Sequence, residues 1–79
     1  MKIALFGYGK MGQEIEKILL QRGHSISHKI GSKDDLSLID FSSTDAVIEF
    51  TVPESAHKNI SFCLRNNLPV VIGTTGWYD

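Results

Sequence analysis

An α/β fold built on a parallel sheet is predicted for these 79 residues by three observations. The chain opens with a short, continuous apolar run at residues 2–6 that ends in glycine. Strand-like and helix-like stretches then alternate. Three of the apolar runs end in small or hydroxyl-bearing residues. A continuous run marks a strand buried on both faces, and such strands belong to parallel sheets whose crossovers carry helices.

Each element follows from its own residues. After the first strand the period changes at Met11. Met11, Ile15, Ile18 and Leu19 recur at helical spacing, with Gln13, Glu14, Lys17 and Gln21 on the other side. Leu20 falls off that stripe. Gly23 suits the left-handed position past a helix end, and Arg22 suits the last turn. Residues 24–30 alternate weakly and read as a second strand. Residues 31–45 are polar, with Leu36, Leu38, Ile39 and Phe41 scattered among them, a long connection with room for one helical turn.

Residues 46–50 read as a third strand, interrupted by Glu49. A buried acid needs a partner. Glu49 is expected to accept loop N–H groups, with a place on the ligand edge as the alternative. Thr51-Val52-Pro53-Glu54 is a capping box with proline in the first turn, and Ala56, Ile60, Cys63 and Leu64 form the apolar stripe of a second helix. Cys63 on that stripe reads as an inert core thiol. Asn66-Asn67 and Pro69 end the helix, and residues 69–72 give a fourth strand that runs into Gly73-Thr74-Thr75-Gly76.

Composition narrows the function classes. The hydrophobic content of 42% and charged content of 22% are those of an ordinary globular chain. A formal net charge of −1 provides no electrostatic footprint for nucleic acid or anionic lipid. The N-terminal apolar run is too short for a signal peptide and none is long enough for a membrane span, so a cytoplasmic protein is expected. His24 and His28 fall in the second predicted strand and His57 in the second helix, with no metal-ligand spacing, and no nucleophile–base–acid set is visible. No metal site and no catalytic residue are expected in this chain.

The chemistry converges on the strand ends. Gly7-Tyr8-Gly9-Lys10-Met11-Gly12 is a G-x-G-x-x-G sequence, a weak signal by itself. Here it follows a buried strand and opens an amphipathic helix, the context of a Rossmann-like, doubly wound domain. In that context Gly7 allows the turn, Gly9 lets backbone approach a pyrophosphate, and Gly12 lets helix and strand pack closely. Free N–H groups at the helix start would hold phosphate oxygens, and Lys10 would add charge. Parallel strands bring Phe50-Thr51 and Gly73-Thr74-Thr75 to the same edge, where ligands bind. An acid expected at the tip of the second strand is missing; Ser32 and Lys33 can reach a 2′-phosphate, while Asp34 keeps a ribose-hydroxyl reading open. The cofactor is therefore NADPH or NADH, with a slight lean to NADPH.

The stretches GYGKMGQEIE, AVIEFTVPESAHKNISFC and PVVIGTTGWYD together resemble the N-terminal domain of the dihydrodipicolinate reductases. EFT-x-PE followed by VIGTTG is far more specific than the glycines. The resemblance covers nearly the whole chain apart from the connection near 31–45. It implies hydride transfer from NADPH or NADH to a cyclic dicarboxylate in diaminopimelate and lysine biosynthesis, by a homotetramer. It also implies that Gly7 through Gly12 hold the pyrophosphate, that Phe50 and Thr51 flank the nicotinamide side, and that Gly73, Thr74 and Thr75 contact the nicotinamide half. The family's acid/base histidine and proton-donating lysine lie in a second domain, so residues 1–79 are expected to be an incomplete dinucleotide-binding domain. Alternatives are another small NAD(P)-dependent dehydrogenase, such as an aspartate or homoserine dehydrogenase, and a nucleotide-sensing regulatory domain without catalysis.

Overall fold

A computed structural model describes residues 1–31, 33–51 and 53–73. Its elements are β1 (Lys2–Phe6), α1 (Lys10–Gln21), β2 (Ser25–Ile30), a 3-10 turn (Leu36–Leu38), β3 (Ala46–Glu49), α2 (Pro53–Arg65) and β4 (Val70–Ile72). The four strands form one sheet in the spatial order β2-β1-β3-β4, every pair parallel.

From β1 the chain crosses outward to β2, returns past β1 to β3 and continues outward to β4. Crossovers of one hand running in opposite directions put their helices on opposite faces. Accordingly, Ile15 and Leu19 of α1 pack with Ile3, Leu5 and Phe50, whereas Phe62 and Cys63 of α2 pack with Ala4, Phe6 and Val47. This is the doubly wound, Rossmann-like arrangement. β1 is buried from Ile3 through Phe6, as a central strand covered on both faces must be. Burial of a leucine or phenylalanine side chain contributes about 1.5–3 kcal/mol, so this one strand anchors both layers. Cys63 is fully buried, and desolvation pushes its thiol up to about 11, which makes it the inert core residue the stripe predicts.

Several boundaries differ from the sequence reading, each for a local reason. β2 begins at Ser25 because the His24 N–H is still committed to Leu19 O at 2.9 Å. β3 stops at Glu49, and the Phe50 side chain turns into the α1-face core. β4 begins at Val70; Pro69 has no N–H to donate, and only its carbonyl joins the ladder, accepting Val47 N–H at 2.8 Å. The helical stripes are narrower than predicted. Met11 and Ile18 on α1 are exposed, as is Leu64 on α2. Ile18 and Leu64 each stand one residue from a buried row, about 100° around the helix, and Met11 lies in the first turn beyond the sheet edge.

The described residues of the 31–45 connection cross over with one 3-10 turn and no α-helix. Asp35 accepts from the Ser37 N–H at 3.0 Å and the Ser37 hydroxyl at 2.6 Å, and Asp40 accepts from the Ser42 N–H at 2.9 Å. These bonds stand in for a helical ladder. Phe41 supplies the burial, its ring centroid 5.8 Å from Phe6 and 5.6 Å from Phe62. At the end of α2, Asn67 takes φ 56°, a left-handed position that asparagine tolerates better than most residues.

Candidate functional site

Strand order reverses between β1 and β3, and the carboxyl ends of those strands meet there. The Phe50 N–H donates to Phe6 O at 3.1 Å, and the Gly7 N–H donates to Ile30 O at 2.7 Å, so the ends of β1, β2 and β3 are tied together. Gly73 extends the edge, its N–H donating to Glu49 O at 2.6 Å. This is the place where open α/β sheets bind ligands.

The three glycines have three different surroundings. Gly7 has φ +97°, and a Cβ there would stand 2.7 Å from Thr51 Cγ2 and 3.2 Å from Thr51 N. Gly12 lies against aromatic rings: its Cβ would be 3.0 Å from Phe50 Cε2 and Cζ and 3.1 Å from Tyr8 Cδ1. A Cβ on Gly9 would meet nothing within 4 Å among the described residues beyond its chain neighbours. Two glycines are therefore required by protein packing, while the middle one faces open space. Gly9 is also the N-cap of α1, and no side chain caps it and no acid sits in the first turn. The first helical bond runs from the Gln13 N–H to Gly9 O at 3.0 Å, so the preceding N–H groups have no helical acceptor. An uncapped helix start beside open backbone fits a pyrophosphate.

A cleft of about 810 Å³ runs from this loop past the tip of β2 and along α2. Gly7, Tyr8, Gly9, Lys33 and Thr51 of the sequence-predicted set line it. Lys10 and Met11 are exposed at the start of α1, and Phe50 is buried against Gly12. Gly73 is exposed at the end of β4. Ser32, Thr74 and Thr75 lie outside the described residues. Sequence reading missed the cleft wall provided by α2, which includes Lys58, Asn59, Phe62 and Arg65. The available signal was their spacing: 55, 58/59, 62 and 65 mark one helical face beside the apolar stripe.

The charges at the tip of β2 are unequally engaged. Asp34 Oδ2 accepts from the Gly31 N–H at 2.7 Å. The Ser37 hydroxyl, and then its N–H, hold the Asp35 carboxyl below its usual range. By contrast, none of Lys33, Lys58 and Arg65 forms an ion pair among the described residues. No group of three or more metal-ligating side chains occurs among the described residues, and no helix there is long and apolar enough to cross a membrane.

Glu49 takes the expected role. It is 1% exposed, and its Oε1 accepts from the Thr51 N–H at 2.6 Å and from the Thr51 hydroxyl. It thereby fixes the turn that packs against Gly7. Glu49→Ala removes that acceptor and opens a hole, with an expected cost of about 2–4 kcal/mol in urea unfolding. Glu49→Gln keeps an acceptor oxygen, and its expected cost is about 1 kcal/mol or less.

Comparison with known proteins agrees with this geometry. The chain matches the family described as "Dihydrodipicolinate reductase, N-terminus" over residues 1–79. A protein of Christiangramia forsetii named 4-hydroxy-tetrahydrodipicolinate reductase is 50% identical over 82 aligned positions, covering 100% of this chain and 33% of that protein. Proteins of the same name from Corynebacterium urealyticum and Streptomyces griseus subsp. griseus are 39% and 32% identical, over 90% and 100% of this chain and 29% and 32% of their own length. The chain spans about a third of the length of these curated relatives. With its parallel sheet, its glycine turn and a match along its whole length, this chain belongs to the dihydrodipicolinate reductase family and corresponds to its N-terminal part.

Proposed function

We propose that these residues are the NAD(P)H-binding part of a 4-hydroxy-tetrahydrodipicolinate reductase acting in diaminopimelate and lysine biosynthesis. The observation that carries the reading is Gly9, open on its Cβ side beside an uncapped helix start at the switch point of the sheet. Family membership supports the reductase chemistry. When bound, reduced nicotinamide supplies a hydride for a cyclic dicarboxylate. This chain's own residues bind and orient: Gly7 through Gly12 hold the pyrophosphate, and Phe50, Thr51, Gly73, Thr74 and Thr75 border the nicotinamide half. The acid/base and substrate-protonating groups, the substrate domain and the homotetramer contacts are assigned to residues outside these 79. The setting is cytoplasmic, with neither nucleic acid nor membrane as a partner.

NADPH is the preferred cofactor in this reading. Lys33 stands at the tip of β2 without an ion pair among the described residues, while the carboxylate of Asp34 is turned onto its own loop. Lys33→Ala is expected to weaken NADPH binding about three- to tenfold and NADH binding little, as measured by cofactor fluorescence. The function itself is tested by following NAD(P)H oxidation by the protein that carries this sequence. Oxidation that depends on 4-hydroxy-tetrahydrodipicolinate is the expected result. A folded protein that binds cofactor but leaves this substrate untouched overturns the reductase assignment.

A further inference from the structure

The loop from Gly7 to Gly9 has one side chain, that of Tyr8. Glycine loses more conformational freedom on ordering than any other residue, so in a loop with glycine on both sides of a single residue, that residue's side chain is the one side chain that can add to the backbone bonds in holding it. Tyr8 is held three ways. Its ring lies against Gly12 and packs with the buried Leu5 and Phe50 cluster. Its hydroxyl donates to Glu16 Oε1, two turns along α1. Lys29, on β2, places its Nζ 2.9 Å from Glu16 Oε2 and 5.0 Å from the centre of the Tyr8 ring. One carboxylate thus links the glycine loop, α1 and β2, and a cation balances its charge near a place built for an anion.

We propose that Tyr8, Glu16 and Lys29 form a staple that keeps the glycine loop in its ligand-ready shape, with Tyr8 and Glu16 as positioning residues for a diphosphate. The inference rests on the dinucleotide-binding reading above. The electrostatics agree: the Tyr8 hydroxyl and then Lys29 lower the Glu16 carboxyl, and Glu16 in turn raises both Tyr8 and Lys29. Tyr8 lines the cleft whereas Glu16 and Lys29 do not, so these two act by limiting loop motion before the ligand arrives. Ordering the loop in advance removes part of the cost of binding.

The test uses Tyr8→Phe, Glu16→Ala and Glu16→Gln in the natural protein that carries these residues. NADH, ADP and adenosine are titrated, and amide hydrogen exchange is read across residues 7–12 without ligand. Tyr8→Phe and Glu16→Ala are expected to weaken NADH and ADP about three- to tenfold, the worth of one ordinary intramolecular hydrogen bond. Adenosine, which lacks the diphosphate, is expected to bind as before, and exchange across the loop is expected to quicken. Glu16→Gln retains an acceptor for Tyr8 and is expected to stay within about twofold of the parent. Unchanged NADH affinity in Tyr8→Phe overturns the staple, as does an equal loss for adenosine. A folded parent that binds no NADH overturns the dinucleotide reading and the staple with it.

Discussion

Gly7→Ala is expected to destabilise the domain by about 2–4 kcal/mol, read as a shift of the urea midpoint. Two penalties add. At φ +97° an L-residue is strained whatever its surroundings, and the new methyl would stand 2.7 Å from Thr51 Cγ2 and 3.2 Å from the Thr51 backbone nitrogen. Thr51 cannot easily retreat, because Glu49 holds both its N–H and its hydroxyl. Native domains are stable by roughly 0.05–0.15 kcal/mol per residue, so the loss is a large part of what a small domain has. An unchanged midpoint would show that the loops after β1 and β3 do not meet as described.

Gly9→Val is expected to do the reverse: little to folding, much to ligand. Beyond its chain neighbours, none of the described residues lies within 4 Å of a Cβ at this position, and its φ of −129° is not in the left-handed region. Stability should change by less than about 1 kcal/mol, because replacing glycine also restricts the unfolded chain. The added methyls fill the space that lets backbone approach a pyrophosphate, so NADH and NADPH affinity should fall at least about tenfold, equivalent to roughly 1.4 kcal/mol. Denaturation and cofactor titration on the same preparation separate the two effects. A variant with both properties unchanged would mean that the ligand passes elsewhere.

The contrast between these glycines shows how much the sequence carried. The order of strands and helices was legible because β1 is a continuous apolar run and both helices repeat at 3.6 residues. The glycine loop was legible because only its flanking elements give three glycines meaning. Glu49 was legible in outline, since a buried acid requires donors, although the identity of Thr51 as the donor came from the fold. Three features were not. The 31–45 crossover depends on Phe41 reaching Phe6 and Phe62, contacts between residues distant in sequence. The α2 wall of the cleft depends on how that helix sits over the sheet. The Tyr8–Glu16–Lys29 staple joins a loop, a helix and an edge strand, and no local pattern announces it. Local periodicity specifies elements, and the long-range pairing of polar groups appears only once the elements are assembled.

On the reading proposed above, the glycine loop and the ends of β1, β2 and β3 together form a dinucleotide site. The most direct measurement is a titration of the isotopically labelled protein with NADPH and with NADH, following backbone amide resonances. Saturable shifts concentrated at residues 7–12, 31–34 and 51 are expected, with NADPH the tighter ligand. A folded protein whose amides at 7–12 stay unmoved at saturating concentrations of either cofactor would contradict that reading.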